Sequence, residues 1–259
     1  MAKVDAIEIR QQTTGDGAIL FDNACVRQAG AFEADWFEPG YWSGRGLATT
    51  ESAGRGSVTY AQTAHGNWVL RHYRRGGMVA RVMGDRYLWS GAQQTRSFAE
   101  FRLLAELARR GLHVPRPVAA RYRRIGVHYR ADLITLQIAD AQTLAQRLVR
   151  EPLDARVAQD VGTAIARLHA VGADHADLNA HNVLLDPSTV WVVDFDRGEL
   201  RAPQRAWQLA NLARLKRSLL KLGAAPDGEA AFERRIWQPL MVAYEHGLDH
   251  AATKTAGAH

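Results

Sequence analysis

The sequence predicts an α+β protein of two lobes, a strand-rich lobe over residues 1–138 and a helix-rich lobe over 139–259. Two observations carry this expectation. As far as Leu136, apolar residues fall in short alternating runs broken by glycine turns; beyond it, they recur at helical spacing. A short connection, Gln137–Asp140, separates the two textures. A chain of 259 residues suits one large domain or two lobes and can bury a sizeable core.

Short strands are expected around Ile7–Arg10 and Ile19–Phe21, followed by an aromatic segment through Trp36, Phe37, Tyr41 and Trp42. Gly44-Arg45-Gly46 turns into a strand-like Leu47–Thr50, and Gly54-Arg55-Gly56-Ser57 makes a second glycine turn. Val58–Ala64 and Trp68–Tyr73 read as a hairpin about His65-Gly66-Asn67. Phe98, Phe101, Leu104, Leu107 and Ala108 share one face of a helix over Thr95–Arg110, which Gly111 stops. Val118–Arg124 and Val127–Leu136 pair about Ile125-Gly126.

In the second lobe, Val157, Val161, Ile165 and Leu168 line one face of a helix over Leu153–Val171. Two short apolar runs follow, Val183–Leu185 and Val190–Val193. Pro203–Leu222 and Glu229–Gly247 then read as arginine-rich helices, and the small, polar tail Thr253–His259 reads as frayed. No internal repeat is visible.

With 47% hydrophobic and 23% charged residues the composition is globular rather than disordered. The single cysteine, Cys25, rules out an intramolecular disulfide, suits a reducing compartment and reads as a small buried apolar residue. The first twenty residues contain Lys3, Asp5, Glu8, Arg10 and Asp16 without an uninterrupted apolar core, so no secretory signal is expected. Nor is there a run long enough to span a membrane. The excess of 33 Lys+Arg over 27 Asp+Glu suits anionic partners and selects none of them.

The chemistry lies in His175-Ala176-Asp177-Leu178-Asn179-Ala180-His181-Asn182, followed after an apolar stretch by Asp194-Phe195-Asp196. This is the spacing of a kinase catalytic loop, H-R-D-x-x-x-x-N then D-F-G, with departures. Asp177 is placed to orient an acceptor hydroxyl or take its proton. Asn182 offers a neutral amide oxygen and Asp194 a hard anionic one, which together suit magnesium beside ATP phosphates. An Asp/Asn-rich turn is the bland alternative. The amphipathic helix before the string and the strand–turn–strand after it favour phosphate transfer.

The departures are informative. Ala176 stands where many protein kinases carry an arginine that binds a phosphorylated activation loop. Asp196 replaces the flexible glycine of D-F-G, and no A-P-E follows. These absences point away from a switched protein kinase. His175 reads as structural, and His181 as either a surface residue or a substrate contact. Asn179 occupies the place of a phosphate-contacting lysine.

Upstream, Gly54, Gly56 and Ser57 lie where a nucleotide-covering glycine loop belongs, although a hairpin turn is an equally good account. In place of the usual strand lysine stands Arg71, which binds phosphate through a planar fork. Glu100 is its expected partner, with Glu106 as the fallback. Arg197, Arg201 and Arg205 suit either an anionic substrate or a solvated helix start. Arg74–Met83 with Arg86, Tyr87, Leu88 and Trp89 suits either an anionic membrane interface or a loop packed on its own lobe.

Taken together, G-R-G-S (54–57), L-R-H-Y-R-R-G-G (70–77), the span from T-R-S-F-A-E-F (95–101) through V-P-R-P (114–117), H-A-D-L-N-A-H-N (175–182) and V-D-F-D-R-G (193–198) resemble the bacterial 3-deoxy-D-manno-octulosonic acid (Kdo) kinases. These are lipopolysaccharide inner-core enzymes with a protein-kinase-like fold. The resemblance spans roughly residues 40–220. It implies ATP and Mg2+, with Asp177 as the active-site acid and Asn182 and Asp194 at the metal-ligand positions. The implied acceptor is the 4-hydroxyl of Kdo on a Kdo–lipid A precursor. The implied location is peripheral, on the cytoplasmic face of the inner membrane.

A heptose kinase of the same core, or an aminoglycoside-type phosphotransferase, is the nearest alternative. A pseudokinase scaffold is a third reading, opposed by the retained Asp177, Asn182 and Asp194. No nucleic-acid partner is expected, because the bases are dispersed and accompany no recognised module, and no obligate protein partner is evident.

Overall fold

The computed structural model describes residues 6–29, 32–53, 56–64, 66–74 and 85–256. Gly54 and Arg55 of the glycine turn, His65 of the hairpin turn and residues 75–84 of the basic–aromatic run lie outside the described residues, as do 257–259 of the tail. The chain divides into two compact units, Met1–Arg109 with Pro115–Gln137, and Arg110–Val114 with Ile138–His259.

Among the described residues, the first unit is built on an antiparallel sheet of eight strands: β1 Ile9–Thr13, β2 Gly17–Asp22, β3 Ala48–Ala53, β4 Gly56–Thr63, β5 Gly66–His72, β6 Tyr87–Leu88, β7 Pro117–Ile125 and β8 His128–Leu136. They run in the order β1-β2-β7-β8-β5-β4-β3, with β6 on β8. The first strand lies later than the expected Ile7–Arg10, because its register on β2 pairs Ile9 with Asp22 and Thr13 with Ala18.

Alternation along β5 decides what each face carries. Trp68 and Leu70 belong to an apolar cluster with Trp36, Phe37, Trp42, Ala119 and Ile134. Trp68 meets the rings of Trp36 and Trp42 at 4.8 and 5.6 Å. The aromatic segment supplies this layer as helix α1 (Asn23–Gln28), a 3-10 turn Ala34–Phe37 and helix α2 (Pro39–Ser43). Helix α1 was not anticipated; Asp22 caps it by accepting from Ala24 N–H at 3.1 Å and also holds Arg116 at 2.6 Å. Cys25 is buried there, and burial pushes its thiol up to about 11. On the opposite face lies helix α3 (Arg96–Arg109), whose Phe98 meets Tyr122 edge-on at 5.0 Å.

The second unit contains β9 (Gln142–Thr143), α4 (Leu144–Arg150), α5 (Ala155–Ala170), β10 (Ala173–Asp174), β11 (Val183–Leu185), β12 (Val190–Val192), β13 (Glu199–Leu200), α6 (Arg205–Lys221), α7 (Glu229–Phe232), a π-helical turn Glu233–Trp237 and α8 (Gln238–Ala256). Helix α4 was also unforeseen and carries a complete capping box between Thr143 and Gln146. The tail is helical to Ala256 rather than frayed from Thr253, because α8 continues through it.

Helices α5 and α8 pack closely at Gly162, where an added Cβ would lie 2.2 Å from the Leu240 carbonyl oxygen. Val161, Ile165, Leu212, Leu215, Leu219, Leu240 and Tyr244 form the buried interior. No helix of the described residues is long and apolar enough to cross a membrane.

Candidate active site

In the second unit, the loop from His175 to Asn182 joins β10 to β11, and its shape follows from its own polar groups. His175 is 2% exposed and packs against the Phe195 ring, tilted by 55° at a centroid distance of 4.7 Å. Its Nδ1 accepts the N–H of Asp177 at 3.2 Å, so Nε2 bears the proton and donates to the Val193 carbonyl at 3.0 Å. Burial holds its pKa below the ordinary histidine value, which agrees with this neutral tautomer. His175 therefore fastens the start of the loop to the Val193–Phe195 segment.

Asn182 closes the loop. Its Nδ2 donates to the Asp177 carbonyl at 2.9 Å, and its own carbonyl accepts Val193 N–H at 2.9 Å. Two oxygens facing each other would repel, so the amide nitrogen must be the atom toward Asp177, leaving Oδ1 without a described partner. Asn179 has both ends of its amide engaged within the loop: Nδ2 donates to the Asp177 carbonyl at 3.0 Å and Oδ1 accepts His181 N–H at 2.8 Å. Asp177 is exposed, and its carboxylate accepts no hydrogen bond from a described residue.

Asp194 takes left-handed backbone (φ 63°), as does Arg197 (φ 61°). Such geometry costs a non-glycine residue about 1 kcal/mol and is best tolerated by Asp and Asn. Between them Phe195 is 1% exposed, and Gly198 N–H bonds the Phe195 carbonyl at 2.8 Å. Asp196, in the position of the D-F-G glycine, is half-buried.

Two further residues, missed in the sequence, suspend the loop from α6. Asn211 Oδ1 accepts His175 N–H at 3.0 Å, and Nδ2 donates to Asp174 at 2.9 Å. Ser218, two turns later, accepts Ala180 N–H at 3.1 Å. A polar side chain among Leu212, Leu215 and Leu219 was the available signal, since a buried amide needs partners.

Of the three following arginines, Arg201 pairs with Asp174 at 3.1 Å and with Glu199 at 3.3 Å. Arg205 pairs with Glu245. Arg197 is exposed and has no partner among the described residues.

In the first unit, Arg71 on β5 pairs with Glu100 on α3, and Tyr73 donates its hydroxyl to the same carboxylate. The Glu100 side chain is 2% exposed and that of Arg71 24%. Glu106 is instead engaged with Arg109. Gly56 and Ser57 begin β4, where Val58 pairs with Arg71.

Asp194 carries a carboxylate and Asn182 an amide oxygen, both of the hard donor type that magnesium takes. Among the described residues, no group of three or more His, Cys, Asp or Glu is placed to hold a metal. A sparse set of oxygen donors fits magnesium, which completes its shell with water and substrate phosphate.

A solved chain described as "WaaP in complex with acyl carrier protein" matches with a TM-score of 0.52 at 16% identity, over 92% of this chain and 98% of that one. The fold is therefore kinase-like. Residues 40–244 match the lipopolysaccharide kinase (Kdo/WaaP) family, and the chain belongs to that family: it is a lipopolysaccharide core kinase. Among its relatives is a 3-deoxy-D-manno-octulosonic acid kinase of Xylella fastidiosa (strain 9a5c), 46% identical over 89% of this chain and 90% of that protein. Another, from Xanthomonas campestris pv. campestris (strain B100), carries the same name and is 48% identical over 84% of this chain and 86% of its own length.

Proposed function

We propose that this kinase transfers the γ-phosphoryl group of ATP to the 4-hydroxyl of Kdo on a Kdo–lipid A precursor. Kdo as the acceptor sugar is supported by the two named relatives. For the chemistry, the supporting observation is the loop itself: an exposed Asp177 carboxylate that accepts no hydrogen bond from a described residue, and an Asn182 amide whose nitrogen is spent on the Asp177 carbonyl while its oxygen has no described partner.

In this reading Asp177 orients the acceptor hydroxyl and takes its proton as that oxygen bonds to phosphorus and the bond to the ADP oxygen breaks. Asn182 and Asp194 are the residues that would hold magnesium, which when bound would offset charge on the transferring group. Arg71, positioned by Glu100 and Tyr73, meets nucleotide phosphate in the place of a lysine, and Gly54, Gly56 and Ser57 supply backbone N–H groups to it. Arg197 contributes charge toward the anionic acceptor. Asn179 shapes the loop, and Arg201 steadies Asp174. The acceptor is a glycolipid, so the enzyme works as a peripheral protein at the inner leaflet of the inner membrane.

The test is transfer of labelled γ-phosphate to purified Kdo–lipid A precursor, with the position of the new ester read by mass spectrometry and NMR. Phosphate on the Kdo 4-oxygen is the expected result. Preference for heptosylated core or a soluble aminoglycoside would overturn the acceptor assignment while leaving the phosphotransferase intact.

A further inference from the structure

The face of the first unit's sheet that carries Leu70 and His72 holds a cleft of about 240 Å³, with Arg71 of the same strand also on its lining. That space equals roughly eight water volumes at about 30 Å³ each, enough for a phosphate and part of its ester group. Its floor is a buried charge network. Arg121 and Asp132 are 7% and 6% exposed, and Arg121 Nε donates to Asp132 at 2.9 Å. The second Asp132 oxygen meets His72 Nδ1 at 2.6 Å. The Phe37 ring lies 4.7 Å from the Arg121 guanidinium carbon and forms an apolar wall.

Asp132 is thus fully engaged, and the remaining carboxylate on the lining is Glu38. It lies 2.8 Å from Arg121 and 3.8 Å from Arg123, with its side chain 45% exposed. At 3.8 Å the Arg123 contact is beyond hydrogen-bond reach. Arg74, on the same lining, has no partner among the described residues. Two guanidiniums therefore face the cleft with unused donors, above a third that packing holds in place. Arginine forks bind phosphate oxygens bidentately, and an interior wall raises the strength of each contact.

We propose that this cleft is a second phosphate-binding site, in which Arg74 and Arg123 grip the phosphate and Arg121 supplies fixed charge beneath it. Glu38, free to swing into solvent, yields Arg121 to the incoming anion. The phosphate comes either from a lipid headgroup or from a soluble phosphate. Nothing in this assignment depends on the acceptor sugar, and its readout is binding rather than transfer.

The test uses the full chain with two probes at matched ionic strength: inorganic phosphate, followed by thermal shift, and vesicles of phosphatidylglycerol against phosphatidylcholine, followed by co-sedimentation. The R74Q/R123Q double variant should weaken the responding probe at least tenfold. R10Q, at an exposed arginine of β1, should stay within twofold, and D194N should retain the response. A response to phosphate alone assigns a soluble ligand, and a response to phosphatidylglycerol vesicles alone assigns a headgroup. No response to either probe, or an equal response in R74Q/R123Q, overturns the site.

Discussion

Asn211 holds His175 by its backbone: the amide oxygen accepts the His175 N–H at 3.0 Å while the amide nitrogen donates to Asp174 at 2.9 Å. One buried side chain on α6 thus sets the level at which the loop leaves β10. Replacing it with leucine leaves a buried N–H and a carboxylate oxygen without their partner, at a cost of about 2 kcal/mol. The loop also loses its registration, and displacements near 1 Å cost roughly a hundredfold in rate. For Asn211→Leu we expect kcat to fall more than tenfold with KM for ATP within about threefold. Steady-state kinetics beside chemical denaturation will check this; an unchanged kcat would remove Asn211 from the positioning role.

Asp177 makes the opposite case, since its exposed carboxylate contributes nothing visible to folding. Asp177→Ala should keep the melting temperature within a degree or two and lose about 10²- to 10⁴-fold in kcat, the usual range for a positioned proton acceptor. Activity within about tenfold of wild type, some 1.4 kcal/mol, would exclude it as the base.

Arg71 and Glu100 should behave as a couple. Arg71→Ala takes the guanidinium from a carboxylate that is 2% exposed, leaving the Tyr73 hydroxyl on it, and breaking such a buried pair costs roughly 3 kcal/mol. Arg71→Lys keeps the charge but not the fork, so stability should largely recover while KM for ATP rises. Full recovery of both quantities in the lysine variant would show that the planar guanidinium is not needed.

The visibility of these residues in the sequence differed for a physical reason. Asp177, Asn182 and Asp194 were legible because local chain geometry fixes their spacing, and Glu100 because helix periodicity placed it one element after Arg71. Asn211 and Ser218 were not, since they act through contacts 36 and 38 residues distant. Helices α1 and α4 escape a sequence reading for another reason: both are short, and their caps at Asp22 and Thr143 sit within strand and loop texture. The arginines after Asp196 look alike in sequence, and only their partners in the fold tell the paired Arg201 and Arg205 from Arg197.

Acid should weaken the second unit through His169. This side chain is 1% exposed, bonds Tyr244 at 2.8 Å, and burial holds its pKa down at about 4. The unfolded value is about 6.5, so between the two the unfolded chain takes up a proton that the folded chain refuses. Stability is therefore level above that window and is lost as pH falls through it. Burial moves His175 in the same direction. His72 opposes both, because its bond to Asp132 raises its pKa and it stabilises the fold below the unfolded value. Comparing wild type with His169→Asn cancels the other groups. The loss of unfolding free energy from about pH 7 to about pH 4.5 should shrink by roughly 2 kcal/mol in the variant. Parallel curves would refute the assignment.

Magnesium and ATP should stabilise the protein together. At a hundredfold excess over Kd the gain is about 2.7 kcal/mol, readable as a rise in melting temperature. Asp194→Asn should lose most of the magnesium-dependent part while still melting near wild type without ligand. An equal shift in that variant would move the metal site elsewhere.

The left-handed backbone at Asp194 narrows the residues this position can accept on two unrelated grounds. Its carboxylate is proposed for a metal, yet its φ of 63° alone penalises most side chains, branched ones above all. A substitution scan at 194 would therefore mix two kinds of failure, misfolded turns and lost chemistry. Asparagine is the one replacement that satisfies the backbone while removing the charge, and glycine the one that relaxes the backbone while removing the side chain. Read as a pair, they divide what the turn requires from what the reaction requires, a separation that alanine, the customary choice, would blur.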